Sequence, residues 1–300
     1  MWGGSNDADS IKTILKAMDM GINLIDTAPV YGFGHSEEIV GEALEQSGRR
    51  DQAIIATKCG LQWLDGKVTR NSSPERIRTE IEDSLRRLRT DCIDIYQVHW
   101  PDPLVPIEDT AATLAALQRE GKILAIGVSN YSPAQMDAWR AVAPLRSVQP
   151  PYNIFERDIE ENVLPYALKN ELLVLSYGAI CRGLLSGRMR ADQSFPADDL
   201  RRNDPKFQPP RFTEYLAAAE RLAQYANVRL GKSLLALAIR WILDRGKTMT
   251  ALWGARNPGQ LDSVQEIEGW NLSENDYPEI DQIVRETIKN PVGPEFMAPP

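Results

Sequence analysis

The chain has 300 residues, 43% of them hydrophobic and 25% charged, enough apolar material for one large barrel or two smaller domains. Acids outnumber bases by 42 to 34, giving a net charge of −8 and a pI near 5.0, which speaks against nucleic acid as the main partner because phosphate binding needs a basic footprint. Three scattered cysteines (Cys59, Cys92, Cys181), no apolar run of membrane-spanning length and a start, Met1-Trp2-Gly3-Gly4, unlike a signal peptide lead to the expectation of a cytoplasmic protein with no membrane partner.

Helical and strand patterns alternate along the chain. Ile11, Ile14, Leu15 and Met18 share one helical face, with Asn6 or Asp7 as cap and Gly21 as stop. The short apolar run 22–27 predicts a strand that closes on Asp26 and breaks at Ala28-Pro29 into a loop carrying Tyr31. Ser36, with Glu37 and Glu38 in the first turn, predicts a helix through Leu44, and 52–58 predicts a second strand. Ser73-Pro74 opens a helix burying Ile77, Ile81, Leu85 and Leu88, followed by a third strand over 92–99. A helix around 108–120, a fourth strand over 123–128 and a capping box, Ser132-Pro133-Ala134-Gln135, come next. A weak fifth strand over 147–152, a helix near 159–169 and a sixth strand over 172–177 lead into a long connection, 182–211, of the kind that is usually a functional lid or disordered. Helices over 212–227 and 232–245, a seventh strand near 248–253 and helices near 258–268 and 274–287 complete the pattern, with an irregular tail from Pro291.

Such alternation predicts a parallel sheet in one α/β domain over 1–300. A closed (β/α)8 TIM barrel is favoured over an open sheet for two reasons. Polar residues gather at the C-terminal strand ends, where barrel active sites lie, and Gly32-Phe33-Gly34 does not continue into a dinucleotide fingerprint, having Glu37 where the third glycine belongs. Only seven strands are counted, one short of closure.

Asp26, Tyr31, Lys58 and His99 follow one another at these strand ends. A phenol with pKa near 10 donates a proton poorly at neutral pH unless its anion is stabilised. A lysine ammonium supplies that stabilisation, a carboxylate holds the lysine charged, and an imidazole orients a substrate oxygen. Singly, each has an ordinary structural explanation: a turn cap, an interfacial Tyr, a solvated strand end, a turn His. Their coincidence on consecutive strand ends points to protonation of an oxygen that gains negative charge, as when a carbonyl accepts hydride. No spacing suits a metal, so none is expected, and His35-Ser36-Glu37 lacks the paired cysteines of a zinc deaminase. Alternatives are a Schiff-base barrel lyase using Lys58 and a cofactor-binding regulatory protein.

A second group lies at the later strand ends. Ser129, Asn130 and Gln149 offer amide and hydroxyl groups, and Tyr177 offers a flat face for an aromatic ring. The turn Gly178-Ala179-Ile180-Cys181-Arg182-Gly183 combines flexibility with a positive charge suited to a pyrophosphate, although by itself it reads as an ordinary loop. Gly254-Ala255-Arg256 precedes a helix start near Pro258, where Arg256 would meet an anion, with Gln260 one turn further on.

The segments Asn23-Leu24-Ile25-Asp26-Thr27-Ala28-x-x-Tyr31-Gly32, Thr57-Lys58, Gln97-Val98-His99-Trp100-Pro101, Gly127-Val128-Ser129-Asn130 and Gly254-Ala255-Arg256-Asn257-Pro258 together resemble the aldo-keto reductases. Gln149-Pro150-Pro151-Tyr152-Asn153, Cys181-Arg182-Gly183-Leu184-Leu185, Asp204-Pro205-Lys206-Phe207 and the stretch from Pro291 to Met297 look like the bacterial general-stress branch. The resemblance implies reversible NADPH-dependent reduction of aldehydes and ketones on a (β/α)8 barrel. It makes Tyr31 the general acid, its pKa lowered by Lys58, with Asp26 pairing Lys58 and His99 orienting the carbonyl. It also implies Ser129, Asn130 and Gln149 on the nicotinamide amide, Tyr177 on its ring, residues 178–182 around the pyrophosphate, Arg256 on the 2′-phosphate and Gln260 at the adenosine end. The substrate pocket would draw on loops bearing Trp63 and Trp100 and on 182–211.

Two departures stand out. Val264 takes the place of an asparagine common in the family, which would loosen cofactor preference. The family's first barrel strand, ahead of Trp2-Gly3-Gly4, is missing from this chain. The expectation is that Met1 is a misassigned or engineered start and that a longer native chain completes the barrel; a native start at Met1 would instead bring weak stability and impaired cofactor binding.

Overall fold

A computed structural model describes residues 6–300. The expectation concerning Met1 lies outside those residues. The chain runs through α1 (Asp7–Asp19), β1 (Leu24–Asp26), α2 (His35–Ser47), β2 (Ile54–Cys59), β3 (Leu61–Leu64), β4 (Lys67–Arg70), α3 (Pro74–Leu88), β5 (Ile93–Val98), α4 (Ile107–Arg119) and β6 (Ile123–Ser129). It continues through α5 (Pro133–Arg140), β7 (Ser147–Gln149), α6 (Val163–Lys169), β8 (Leu173–Ser176), α7 (Arg211–Tyr225), α8 (Leu234–Leu243), β9 (Met249–Ala251) and α9 (Asp276–Thr287).

Local chemistry sets several of these boundaries. The Asn6 side chain accepts from Asp9 N, Ser73 accepts from Arg76 N with Pro74 at the first helical position, and the box between Ser132 and Gln135 is complete. Helix α2 starts one residue before its predicted cap: Gly34, at φ 104°, takes the cap position, and Ser36 instead accepts from the Thr27 hydroxyl at 2.8 Å. Glu37, expected to favour the helix dipole, is fully buried and accepts from Thr57 Oγ1 and Arg87 Nε, both at 2.7 Å.

Seven strands form one parallel sheet in the order β1-β2-β5-β6-β7-β8-β9. In a flat sheet β1 and β7, four places apart, would be separated by about 19 Å. Instead Gln149 Nε2 at the end of β7 donates to Asp26 Oδ1 at the end of β1 at 2.8 Å, so the sheet is strongly curled. On the outside, Lys16 of α1 donates to Pro258 O at 2.9 Å and pairs with Asp262, joining the β1 side to the segment after β9. This is the expected barrel pattern, with seven strands in the curled sheet among the described residues.

Register decides what faces inward. Lys58 lies opposite Gln97, Gln97 opposite Gly127, and Gly127 opposite Ser147, so these positions share the inner face. A Cβ on Gly127 would come within 2.2 Å of Ser147 Oγ and 2.7 Å of Gln97 Cγ, so only glycine fits this layer beneath the strand ends. The alternate residues Ile55, Tyr96, Val98, Ile126, Val128, Val148 and Val174 are buried against the helices, in a core with Ile77, Ile81, Leu114, Leu117, Trp139 and Trp241.

Three segments differ from the sequence expectation. Residues 61–70 form an antiparallel hairpin, β3–β4, turning at Asp65-Gly66 with φ of 50° and 76°. Residues 182–211 are a folded excursion of short 3₁₀ turns in which Phe195 meets Phe207 edge to face and Phe207 packs on Phe212 of α7, with Arg201 4.4 Å above the Phe195 ring. The predicted helix near 258–268 is a 3₁₀ run, Pro258–Ile267, with no side-chain cap. Among the described residues no helix is long and apolar enough to cross a membrane.

Candidate active site

Because every strand of the sheet points the same way, the C-terminal ends of β1, β2, β5, β6, β7 and β8 meet on one rim. Asp26 ends β1, Lys58 is the penultimate residue of β2, and His99 follows β5 directly, its backbone N–H donating to Cys59 O at 2.9 Å. Lys58 is fully buried; its ammonium donates to Asp26 Oδ2 at 2.8 Å and to Thr27 O at 2.9 Å. The same ammonium lies 5.1 Å from the centroid of the Tyr31 ring. Tyr31 and His99 meet edge to face, with ring centroids 5.9 Å apart at 84°. Both keep partial exposure to solvent, while Lys58 and Gln149 beneath them are closed off.

Electrostatics sorts the protons. Burial pulls the Lys58 ammonium down, but Asp26 and then Tyr31 outweigh it, so Lys58 titrates above its ordinary value and stays charged. For Tyr31 two influences oppose each other, and the lysine acts in the expected direction. Burial raises the phenol above 10.0; Lys58 pulls it down but does not prevail, and Asp26 adds to the rise. The resting phenol therefore holds its proton, and the contribution of Lys58 is to limit the cost of releasing it. Burial, then the charge of Lys58, hold the His99 imidazole well below 6.5, so at neutral pH it is uncharged, with one N–H to donate.

That neutral imidazole has two measurable consequences. Titration of the His99 ring followed by NMR is expected to show no protonation on crossing pH 6.5; a chemical-shift step of that ring there would mean that His99 titrates normally. The unfolded chain takes up this proton at about pH 6.5 and the folded chain does not, so the contribution of His99 to stability falls on acidification below that value, opposite in sign to that of His35, which Asp7 holds above 6.5.

The second group adjoins the first. Ser129 Oγ donates to Gln149 O at 2.7 Å, and Asn130 Nδ2 donates to Ser129 Oγ and His99 O, both at 3.0 Å. Tyr177 Oη donates to Asn130 Oδ1 at 3.0 Å, and Asn130 holds a left-handed φ of 63°. Asp26 joins the two groups, accepting from Lys58 on one oxygen and Gln149 on the other. Gly178, Ala179, Ile180 and Cys181 follow Tyr177 on the same rim. Arg182 does not offer its charge there: its guanidinium is buried against Glu156 and Asp204. Gly254, Ala255 and Arg256 follow β9, and Gln260 Oε1 accepts from Arg256 N at 2.6 Å.

A model of the aldo/keto reductase family matches residues 1–285. The chain belongs to that family. Aldo-keto reductase YhdN of Bacillus subtilis (strain 168) is 58% identical over 300 residues, 100% of this chain and 91% of that protein. The NADH-specific methylglyoxal reductase of Escherichia coli (strain K12) is 36% identical over 289 residues, 92% of this chain and 87% of that protein. Among solved structures, the glycerol dehydrogenase AKR11B4 from Gluconobacter oxydans aligns with a TM-score of 0.89 at 54% identity, over 99% of this chain and 91% of that one. The protein is thus an oxidoreductase of the aldo/keto reductase family, and its curled parallel sheet is that family's barrel.

Sequence reasoning missed two contributors to this aldo/keto reductase's rim. The β3–β4 hairpin packs Leu61 and Val68 against Ala28, Val30, Tyr31 and Trp100, forming a wall beside the phenol, and Trp63 stacks on Phe33 at 5.4 Å. The signal was Asp65-Gly66 between alternating apolar residues. Glu80, fully buried, accepts from Gly60 N at 2.9 Å just beyond Lys58, which fixes the end of β2; the signal was an acid three residues after Ile77, on the helix face that Ile77, Ile81 and Leu88 mark as buried. Among the described residues, no group of three or more His, Cys, Asp or Glu is placed to hold a metal.

Proposed function

We propose that the protein reversibly reduces small aldehydes and ketones to alcohols with NADPH, Tyr31 giving the proton to the carbonyl oxygen. The observation that carries this reading is the buried Lys58–Asp26 pair directly behind a protonated phenol, with an uncharged imidazole edge-on to it. A bound nicotinamide supplies hydride. Tyr31 supplies the proton, and the fixed positive charge of Lys58 stabilises the phenolate left behind. Asp26 keeps Lys58 charged and in position. His99 donates its N–H to the same oxygen and orients it.

The donor set suits an extended nicotinamide dinucleotide in its chemistry. Amides and a hydroxyl (Asn130, Gln149, Ser129) with Asp26 match a carboxamide, and the partly exposed Tyr177 ring matches a flat heterocycle. The backbone of Gly178, Ala179, Ile180, Cys181 and Arg182 is assigned to the diphosphate. Gly254, Ala255, Arg256 and Gln260 are assigned to the adenosine end, with exposed Arg256 toward a 2′-phosphate. Arg256 is the reason for NADPH over NADH, a choice that the NADH-specific relative makes worth testing directly. A Schiff-base role for Lys58 has no observation in its favour, since the attacking amine must be neutral and Asp26 and Tyr31 keep this one charged.

The test follows oxidation of NADPH and of NADH at equal concentration with a panel of small aldehydes, ketones and sugars. Turnover is expected with NADPH, and slower with NADH. Binding of cofactor without turnover of any substrate would favour a regulatory role. Borohydride trapping of a substrate on Lys58 would favour a lyase.

A further inference from the structure

Between residues 178 and 183 the backbone turns left-handed four times: Gly178 at φ 69°, Cys181 at 44°, Arg182 at 52° and Gly183 at 99°. Glycine adopts this conformation freely, but Cys181 and Arg182 do so at a cost, and such strain persists only where the surroundings hold it. What surrounds it is a buried cluster of four charges. Arg182 pairs with Glu156 and, at 2.5 Å, with Asp204; Lys206 lies 2.8 Å from the same Glu156 and 3.7 Å from Asp204. The four side chains are between 0% and 3% exposed, and two positive charges balance two negative ones. Glu156 also accepts from Asn153 Nδ2 at 2.6 Å, and that amide donates to Gly178 O at 3.0 Å. The turn is therefore gripped at both ends, at Gly178 through Asn153 and at Arg182 through its guanidinium. The polar partners of Lys206 lie outside the turn. Lys206 holds the two carboxylates that grip Arg182, and it donates to Gly293 O at 2.8 Å, tying in the C-terminal segment.

A buried ion cluster is a poor way to gain stability, because apolar residues of similar volume usually serve as well or better. What it supplies is a fixed geometry. We propose that Glu156, Asp204 and Lys206 are positioning residues for cofactor binding, which hold the 178–183 turn in its strained shape before the cofactor arrives. This rests on the reading of 178–182 as the turn that meets the diphosphate. Preorganisation of this kind saves ordering cost on binding and leaves the chemistry at Tyr31 untouched.

The test measures dissociation constants by tryptophan fluorescence for NADPH and for adenosine 2′-phosphate, a probe that lacks the diphosphate, together with kcat at saturating NADPH. Lys206→Met is expected to weaken NADPH by about ten- to a hundredfold, with adenosine 2′-phosphate and kcat within about twofold of wild type. Glu156→Gln serves the same purpose should Lys206→Met not fold, and Lys206→Arg, which keeps the charge, is expected to recover part of the loss. Unchanged NADPH affinity in these variants, or equal weakening of both ligands, overturns the proposal. If the wild-type protein binds neither ligand, the assignment of the cofactor site fails first, and that result is distinct from either of these.

Discussion

Tyr31→Phe is expected to lower kcat for aldehyde reduction by about two to four orders of magnitude, the usual range for a general acid, while NADPH affinity stays near the wild-type value. The substitution removes one oxygen and conserves the ring that packs against His99 and the hairpin wall. Lys58 loses the phenol oxygen but keeps its hydrogen bonds to Asp26 and Thr27 O, which hold it in place. The loss is therefore read in turnover and not in thermal stability. Equal turnover by wild type and Tyr31→Phe would show that the proton comes from elsewhere.

Lys58→Met is expected to be damaging in two separable ways. Turnover falls as it does for Tyr31→Phe, because nothing then stabilises the phenolate. Stability falls as well, because Asp26 loses its counter-ion at a site only 15% exposed. Breaking a buried pair from one side typically costs about 3–5 kcal/mol; the partial exposure of Asp26 and its bond from Gln149 place the cost toward the lower end, and a Tm several degrees below wild type is expected. Adding Asp26→Asn removes the stranded charge. The double variant Lys58→Met/Asp26→Asn is expected to regain much of the Tm and none of the activity. Wild-type Tm and turnover in the single variant would remove Lys58 from both roles.

Much of this molecule is legible without coordinates, and the reason is local. Apolar spacing in the helices, the Ser73-Pro74 and Ser132–Gln135 starts and the apolar runs of the strands all report on contacts within a few residues. Parallel alternation then brings every strand's C-terminal end to one face, so Asp26, Lys58, His99, Ser129, Asn130, Gln149 and Tyr177 could be grouped from their positions alone. The hairpin at 61–70 was within reach of the same reasoning but escaped it, because each of its strands has only four residues and the alternation is brief.

The sequence by itself determined the alternation of strands and helices apart from the hairpin, the parallel sheet and which polar residues share its C-terminal rim. Tertiary structure alone decided how the charges there are used. Glu37 reads as a helix-dipole residue and becomes a buried partner of Arg87; Arg182 reads as a phosphate ligand and is spent on Glu156 and Asp204. Lys58 pulls the Tyr31 phenol down as its position suggests, but burial, which the sequence does not show, outweighs it. In each case the deciding neighbours lie 20 or more residues away in the chain or arise from desolvation, which depends on all the surrounding segments at once. Propensity and spacing describe what a residue meets along its own strand or helix, whereas its charge state depends on what closes over it.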